Sequence, residues 1–402
     1  MTSAERDTTV RDDFPFLSRL VNGASIVYLD NAATTQKPLV VGQAINQLYN
    51  DGISNVHRAV SFLAEEVTDR FEGARATIAR FIGAHPREII FTTGSTQAIN
   101  LVANSFPPDK PLRILTTTLE HHSNLLPWSR CGEVDFISWS PSTGINLDTL
   151  EKALESRPDL VALAHASNFL GTIHPIEQAI ELCRAKNVRI LIDASQSIAH
   201  LPLDVRRLKC DYLVFSGHKI YGPSGTGALF VKNDIVDSLQ PFLLGGAMVK
   251  EVHARSFVPN DVPYRFEAGT PNIEGFVGLA AALNYVTRLG YDRIASIETD
   301  LTRYAKQGLA QVPGVSVLGP AATTLSAPLV PFFLKGLESG AVARTLGSRA
   351  NIVVRSGFHC AQPAHDELDL TPTVRASFAI YNTREEIDLM IETVDALARY
   401  LH

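Results

Sequence analysis

Between residues 88 and 231 short apolar runs alternate with helical stretches, and this alternation restricts the fold more than any other feature of the chain. The runs lie near 88–93, 113–118, 134–140, 159–166, 188–193, 210–216 and 227–231. Several are continuously apolar, as strands buried on both faces must be. Strand–helix alternation predicts a seven-stranded, mainly parallel sheet with helices on both sides. Ahead of it, residues 61–84 read as a helix whose apolar set, Val67, Phe71, Ala74, Ile78 and Phe81, lies on one face. In such a sheet the ligand site lies beyond the carboxyl ends of the strands. Asp193, Lys219 and the turn at Gly94 all fall at such ends.

After about residue 275 the texture changes. Helices near 276–289 and 291–311 lead to strands near 315–318, 329–334, 351–355 and 374–380. A closing helix over 384–401 puts Ile387, Ile391, Val394, Leu397 and Leu401 on one face. Helices followed by strands predict a separate, smaller α+β domain. The expected organisation is an N-terminal segment, 1–25, packed on the small domain, then a large domain, 26–275, and a small one, 276–402. Cys360 and Arg375 fall in the small domain, so a site that uses them lies between the two. A chain of 402 residues has ample core for this. Its net charge of −6, without a basic cluster, argues against nucleic acid as a partner. No apolar run approaches the roughly 18 residues that cross a bilayer. The start, Met-Thr-Ser-Ala-Glu-Arg-Asp, lacks the pattern of a signal peptide, so a cytosolic protein is expected.

Lys219 ends an apolar strand within Val214-Phe-Ser-Gly-His-Lys-Ile-Tyr-Gly-Pro. A charge there is costly unless it is paired or used chemically. Asp193 closes the apolar strand Val188-Arg-Ile-Leu-Ile-Asp. Two readings fit: a structural Lys–Asp pair, or a Schiff-base lysine with an aspartate facing a pyridinium nitrogen, which is what pyridoxal phosphate (PLP) requires of a protein. Phe91-Thr-Thr-Gly-Ser-Thr-Gln-Ala-Ile-Asn is a strand, a glycine turn and the start of a helix. Free N–H groups there, with the hydroxyls of Ser95 and Thr96, suit a phosphate; a plain N-cap is the alternative. Ser216 and His218 stand ready to add phosphate contacts.

Other polar groups mark the same edge. His121, in Glu120-His-His-Ser-Asn, can stack on a flat ring and move protons near neutral pH. Metal binding by His121, His122, His57, His359 and His365 lacks any ligand spacing of known type, so no metal is expected. Asn168 and Gln196 are amides at strand ends, or simply turn formers. Arg375, inside an apolar strand, needs an anion: a substrate carboxylate or a buried salt-bridge partner. Of four cysteines, none in CxxC spacing, Cys183 and Cys210 read as packing residues. Cys360, in the loop Arg355-Ser-Gly-Phe-His-Cys-Ala-Gln-Pro, has Arg and His neighbours of the kind that activate a thiol, and reads as either reactive or inert.

Taken together these motifs resemble the class V aminotransferase family of fold-type I PLP-dependent transferases, and closely the cysteine desulfurases of the SufS/CsdA type. The resemblance runs from about Tyr28 to the C-terminus. It rests on Tyr28-Leu-Asp-Asn-Ala-Ala-Thr-Thr-Gln-Lys-Pro, Asn55-Val-His-Arg, Glu120-His-His-Ser-Asn, Ser167-Asn-Phe-Leu-Gly-Thr and Asp193-Ala-Ser-Gln. It continues through Ser216-Gly-His-Lys-Ile-Tyr-Gly-Pro, Arg265-Phe-Glu-Ala-Gly-Thr-Pro-Asn, Gly357-Phe-His-Cys-Ala-Gln-Pro and Arg375-Ala-Ser-Phe-Ala-Ile-Tyr-Asn-Thr.

The resemblance implies that Lys219 forms the Schiff base with PLP, Asp193 meets the ring nitrogen and His121 stacks on the ring. Gln196 and Asn168 would reach the phenolic oxygen. Ser95, Thr96, Ser216 and His218 would hold the phosphate, joined by Thr270 from the second subunit of a homodimer. Asn168, Arg375, His57 and Arg355 would bind substrate, and Cys360 would take sulfur from L-cysteine and pass it to an acceptor protein. Selenocysteine lyases share this scaffold, and other class V lyases and epimerases share the cofactor without needing Cys360; a non-catalytic scaffold for sulfur-trafficking partners is the reading from another class. One departure stands out: Phe358 occupies a position usually held by His in these desulfurases.

Overall fold

A computed structural model describes residues 10–57, 60–106 and 111–400; part of the expected N-terminal segment, residues 1–9, lies outside that range. The seven expected strands form one sheet: β1 (Ile89–Thr92), β2 (Leu112–Thr116), β3 (Gly132–Phe136), β4 (Leu160–Ala164), β5 (Arg189–Asp193), β6 (Tyr212–Ser216) and β7 (Gly227–Val231). Their spatial order is β1-β7-β6-β5-β4-β2-β3. Strand β7 runs antiparallel to both neighbours, and every other neighbouring pair is parallel.

Strands β4, β6 and β7 are buried along their whole length, which explains their unbroken apolar sequences. The period of two divides each strand between two cores. Ile190, Ile192, Leu213 and Phe215 face one core, and Leu191, Tyr212 and Val214 face the other. Helices α1 (Leu39–Asp51) and α2 (Phe62–Phe81) cover the first face, and α3 (Ser95–Asn104) the second. Helix α2 starts where the Ser61 hydroxyl caps the Ala64 N–H. It stops short of the expected 84 because Gly83 turns the chain out with φ 72°. The edge strand β3 is half exposed and ends at Phe136; Trp139–Ser140 leave it to pair with Gly144–Ile145.

Helix α4 (Ile273–Leu289) also packs on the first face, with the Phe276 ring stacked 3.7 Å from that of Phe91. The expected border at 275 therefore falls inside a helix that belongs to the large layer. Beyond it, helices α5 (Tyr291–Leu309), α6 (Ser339–Ala350) and α7 (Arg384–Tyr400) enclose a third core. Its sheet holds β10 (Val315–Val317), β11 (Leu329–Leu334), β12 (Arg355–Gly357) and β13 (Thr373–Ser377) in the antiparallel order β10-β11-β13-β12. The run expected at 351–355 divides: Ile352–Val353 pairs with Val27–Tyr28 before β12 joins the small sheet. Helices α1 and α6 have no counterpart in the sequence reading, and neither has the exposed hairpin β8 (Val249–His253) with β9 (Ser256–Pro259).

The described part of the N-terminal segment ties the layers together. Phe14 is enclosed by the rings of Tyr221, Tyr285 and Tyr381, and Arg11 forms an ion pair with Glu386 at 2.8 Å. Cys183 and Cys210 are buried, and burial pushes each thiol pKa up to about 12. Both are packing residues. Among the described residues, no helix is long and apolar enough to cross a membrane, and no group of three His, Cys, Asp or Glu residues could hold a metal.

Candidate active site

Adjacent parallel strands bring their ends together, and here the ends carry the chemistry. Asp193 closes β5 in register with Ala164 on β4 and Val214 on β6. Lys219 follows β6 in a short 3₁₀ turn, Asn168 follows β4, and His121 follows β2. Burial, with the charges of Arg375 and Arg355, pushes the Lys219 pKa down to about 8, against the pull of Asp193. Lys219 is half-buried as a residue, and its amine makes no hydrogen bond to the described residues. Asp193 anchors itself through Oδ1, which accepts the Ser195 N–H at 2.9 Å.

The turn that presents Lys219 is gripped by the loop that precedes helix α1. The carbonyl of His218 accepts from Thr35 N–H at 3.1 Å, Thr34 Oγ1 at 3.1 Å and Lys37 Nζ at 3.1 Å. The Lys37 ammonium is held by oxygens alone, and burial lowers its pKa to about 8. The sequence quoted for the resemblance contains these residues, but nothing in their pattern reveals that they reach across to His218.

Beside Lys219 lies an anion cradle. Helix α3 begins at Ser95 with no acidic residue in its first turn, so its positive end is uncompensated within the helix. The Ser95 N–H donates to Ser216 Oγ at 2.9 Å, and the Ser95 and Ser216 hydroxyls also lie 2.9 Å apart. Thr96 Oγ1 pairs with Ser123 Oγ at 2.8 Å. Two glycines allow this close approach. Gly94 adopts φ 153°, and a Cβ on Gly227 would lie 2.5 Å from Gly94 Cα and 2.8 Å from the Phe215 carbonyl oxygen.

His121 Nδ1 accepts the Ser123 N–H at 3.0 Å, so the proton of its neutral ring is on Nε2. Burial and the nearby Lys219 push its pKa down to about 3. Before any ligand binds, His121 offers a fixed N–H donor and a flat face. Its loop is pinned by buried Glu120, which accepts from Ala164 N–H at 2.8 Å and Asn124 Nδ2 at 2.6 Å.

Cys360 reaches this edge from the small sheet. Its carbonyl accepts the His122 N–H at 2.8 Å, and the carbonyl of His359 accepts from Asn168 Nδ2 at 2.6 Å. Arg355 donates to Cys360 Sγ at 3.3 Å. His359 and Cys360 both hold left-handed backbones, φ 53° and 60°. Such conformations cost about 1 kcal/mol or more each for residues with a Cβ, so the cross-links must hold them. Arg375 is fully buried; it donates to the Asn168 carbonyl at 2.6 Å and to Asp30 Oδ1 at 3.3 Å. Asp30, which the sequence reading quotes within a motif but gives no role, is its carboxylate partner in this chain. Gln196 is anchored through Nε2 to the Ala32 carbonyl at 2.8 Å, leaving its second N–H available.

Two expected residues stand apart. His57, 3.2 Å from Glu72, and Thr270 line a cavity of about 730 Å³ under the β8–β9 hairpin, whose walls include neither Lys219 nor Cys360.

The donor set fits PLP. An unpaired amine beside an anchored carboxylate, a helix end ringed by hydroxyls and a flat neutral imidazole match its aldehyde, ring nitrogen, phosphate and ring face.

The aminotransferase class-V family model matches residues 27–390, and the chain belongs to that family. It is 41% identical to a probable cysteine desulfurase of Synechocystis sp., over 98% of this chain and 96% of that protein. A probable cysteine desulfurase of Mycolicibacterium paratuberculosis is 44% identical, but the match covers 97% of this chain and 58% of that longer protein. Among solved structures, the apo cysteine desulfurase of Thermococcus onnurineus superposes with a TM-score of 0.92 at 36% identity, covering 98% of both chains. The cysteine desulfurase CsdA of Escherichia coli, in an S-sulfonic acid form, gives 0.88 at 33% identity, again over 98% of both. The fold is thus that of the fold-type I PLP enzymes, and the cofactor of the family is PLP.

Proposed function

We propose that this chain is a PLP-dependent cysteine desulfurase that converts L-cysteine to L-alanine and carries the released sulfur on Cys360. The observation that supports this best is the stitching of the Cys360 loop to the strand ends that carry His121 and Asn168. A cofactor site without a thiol would serve any class V lyase; this site has one built against it.

In this reading Lys219 would bind the cofactor, with Asp193 for its ring nitrogen, His121 for its ring face, and Gln196 and Asn168 for its phenolic oxygen. Ser95, Thr96, Ser216 and His218 would hold the phosphate. PLP supplies the electron sink that makes the substrate's carbons acidic. Lys219, its pKa near 8, is poised to move protons at those carbons. Arg375 and Asn168 hold the substrate carboxylate. Cys360 attacks the substrate sulfur: an S–S bond forms as the C–S bond breaks, and the electron pair of that bond stays with the carbon. That carbon then takes a proton to become the methyl group of alanine. Arg355, already on Sγ, steadies the charged sulfur.

A second copy of the chain completes the site. The cavity holding His57 and Thr270 lies beside exposed apolar residues, Val252 at 68% and Leu244 at 65%, which a homodimer would cover. We place Thr270 and His57 in the site of that partner. The anchored loop keeps the persulfide inside, so an acceptor protein must come to it, in the cytosol. Incubation of the holoenzyme with L-cysteine, with alanine assay and mass spectrometry of the Cys360 peptide, tests the reading. One added sulfur atom on that peptide is expected; alanine without it would return the chain to the lyases.

A further inference from the structure

The hydrogen bonds of the buried histidines in the Cys360 loop determine where their protons lie. His365 Nδ1 is 3.1 Å from the Ala361 carbonyl, and a carbonyl only accepts, so Nδ1 carries the hydrogen. Nε2 of the neutral ring is then an acceptor, and it faces Thr373 Oγ1 at 3.4 Å. The threonine has a single hydrogen to give. The same Oγ1 lies 2.9 Å from His359 Nε2. With its hydrogen committed to His365, the hydroxyl accepts from His359, whose Nε2 must therefore be N–H. Nδ1 of His359 is left as a bare lone pair, buried and without a partner among the described residues. The reverse assignment sets two lone pairs against each other at His365 and strands a buried N–H on His359, which is the costlier arrangement.

Packing fixes the outer ring of this chain. Phe169 stacks on His365 with centroids 3.9 Å apart, and Phe358 meets it edge-on at 5.3 Å. Phe358, the departure noted in the sequence, is thus an apolar wall of the relay.

Arg375 provides the independent observation. Its guanidinium is anchored through both terminal nitrogens, while Nε is buried without a partner. The Asn168 carbonyl accepts from Arg375 and the Asn168 Nδ2 donates to the His359 carbonyl, each at 2.6 Å, so one residue joins the histidine to the guanidinium.

We propose that Thr373 and His365 are positioning residues for substrate binding: they lock His359 as the Nε2–H tautomer, and the His359 carbonyl, through Asn168, holds the guanidinium of Arg375 where it receives the substrate carboxylate. This rests on the reading of Arg375 as the carboxylate holder.

Neutron diffraction from deuterated crystals of the holoenzyme tests the tautomers directly. Deuterons are expected on His365 Nδ1 and His359 Nε2, with none on His359 Nδ1; density on His359 Nδ1 overturns the proposal. In solution, Thr373→Val, which keeps the shape and removes the hydroxyl, should raise KM for L-cysteine about tenfold and leave kcat within about twofold. Thr373→Ser should restore KM. A fall in kcat at constant KM, or no rescue by serine, refutes the relay, and if the valine variant does not fold the neutron density decides. The two readings fail differently: an unchanged KM in Arg375→Ala removes the carboxylate role and leaves the tautomers standing.

Discussion

The edge of the large sheet and the Cys360 loop meet at one site but are built on opposite terms. Asp193, Lys219 and Ser95 stand at the ends of regular elements, where strand register and a helix start dictate their positions. Cys360 and His359 stand in left-handed backbone, held by hydrogen bonds from His122 and Asn168 across the domain junction. One region is placed by secondary structure, and the other by tertiary contacts that overrule local preference. The difference predicts that the sheet edge tolerates no added atoms, while the loop would relax if atoms were removed.

The largest effect belongs to the sheet edge. Lys219→Ala should lower turnover by at least about 10⁴-fold, since attachment and proton transfer go together. PLP should remain bound without a covalent link, held at the helix α3 cradle. Borohydride reduction and peptide mapping of the parent should label Lys219; a label on another lysine would move the site.

Gly227→Ala probes the same edge through stability. The new Cβ would press on the backbone of Gly94 and Phe215, at 2.5 and 2.8 Å, and neither can turn aside as a side chain can. A loss of about 3 kcal/mol is expected from such overpacking, with weakened PLP binding because the Gly94 turn is displaced. Denaturation curves and cofactor retention measure both. A variant as stable as the parent, with full PLP, would show that the cradle yields more easily than its packing implies.

These two positions also show what the sequence could reveal. The seven strands and the residues at their ends follow from apolar runs and their spacing, because in a parallel sheet neighbouring ends share one edge. The groups that hold those residues in place do not follow. Asp30 meets Arg375, and Lys37 meets the His218 carbonyl, across separations of more than 180 residues that no local period records. The left-handed pair at His359 and Cys360 is equally silent, since neither is glycine. Hairpin β8–β9 lacks the clean alternation of a half-buried strand because most of its residues are exposed in the single chain.

Arg375 stands between the two regions, on the small sheet but bonded to Asn168 of the large one. Arg375→Ala should weaken L-cysteine binding by about 3 kcal/mol, roughly a hundredfold in Kd, with PLP content near that of the parent. Its pair with Asp30 is the competing explanation for a buried arginine. Should the variant instead lose its fold and its cofactor together, that pair is the reason Arg375 is there, and the carboxylate must bind elsewhere.

The smallest effect carries the sharpest test of the loop. At φ 60°, Cys360 bears the cost that any side chain bears in left-handed backbone, about 1–2 kcal/mol, and glycine does not. Cys360→Gly and Cys360→Ala both remove the thiol and its hydrogen bond from Arg355, so they differ only in the Cβ and in the freedom of the unfolded chain. That freedom penalises glycine by about 0.4–1 kcal/mol. The balance leaves the glycine variant more stable than the alanine variant by about 0.5–1 kcal/mol. At an ordinary backbone position the order is reversed. Side-by-side denaturation of the two inactive holoenzymes reads the sign, and an alanine variant that proves the more stable would mean that Cys360 is not held in the left-handed form.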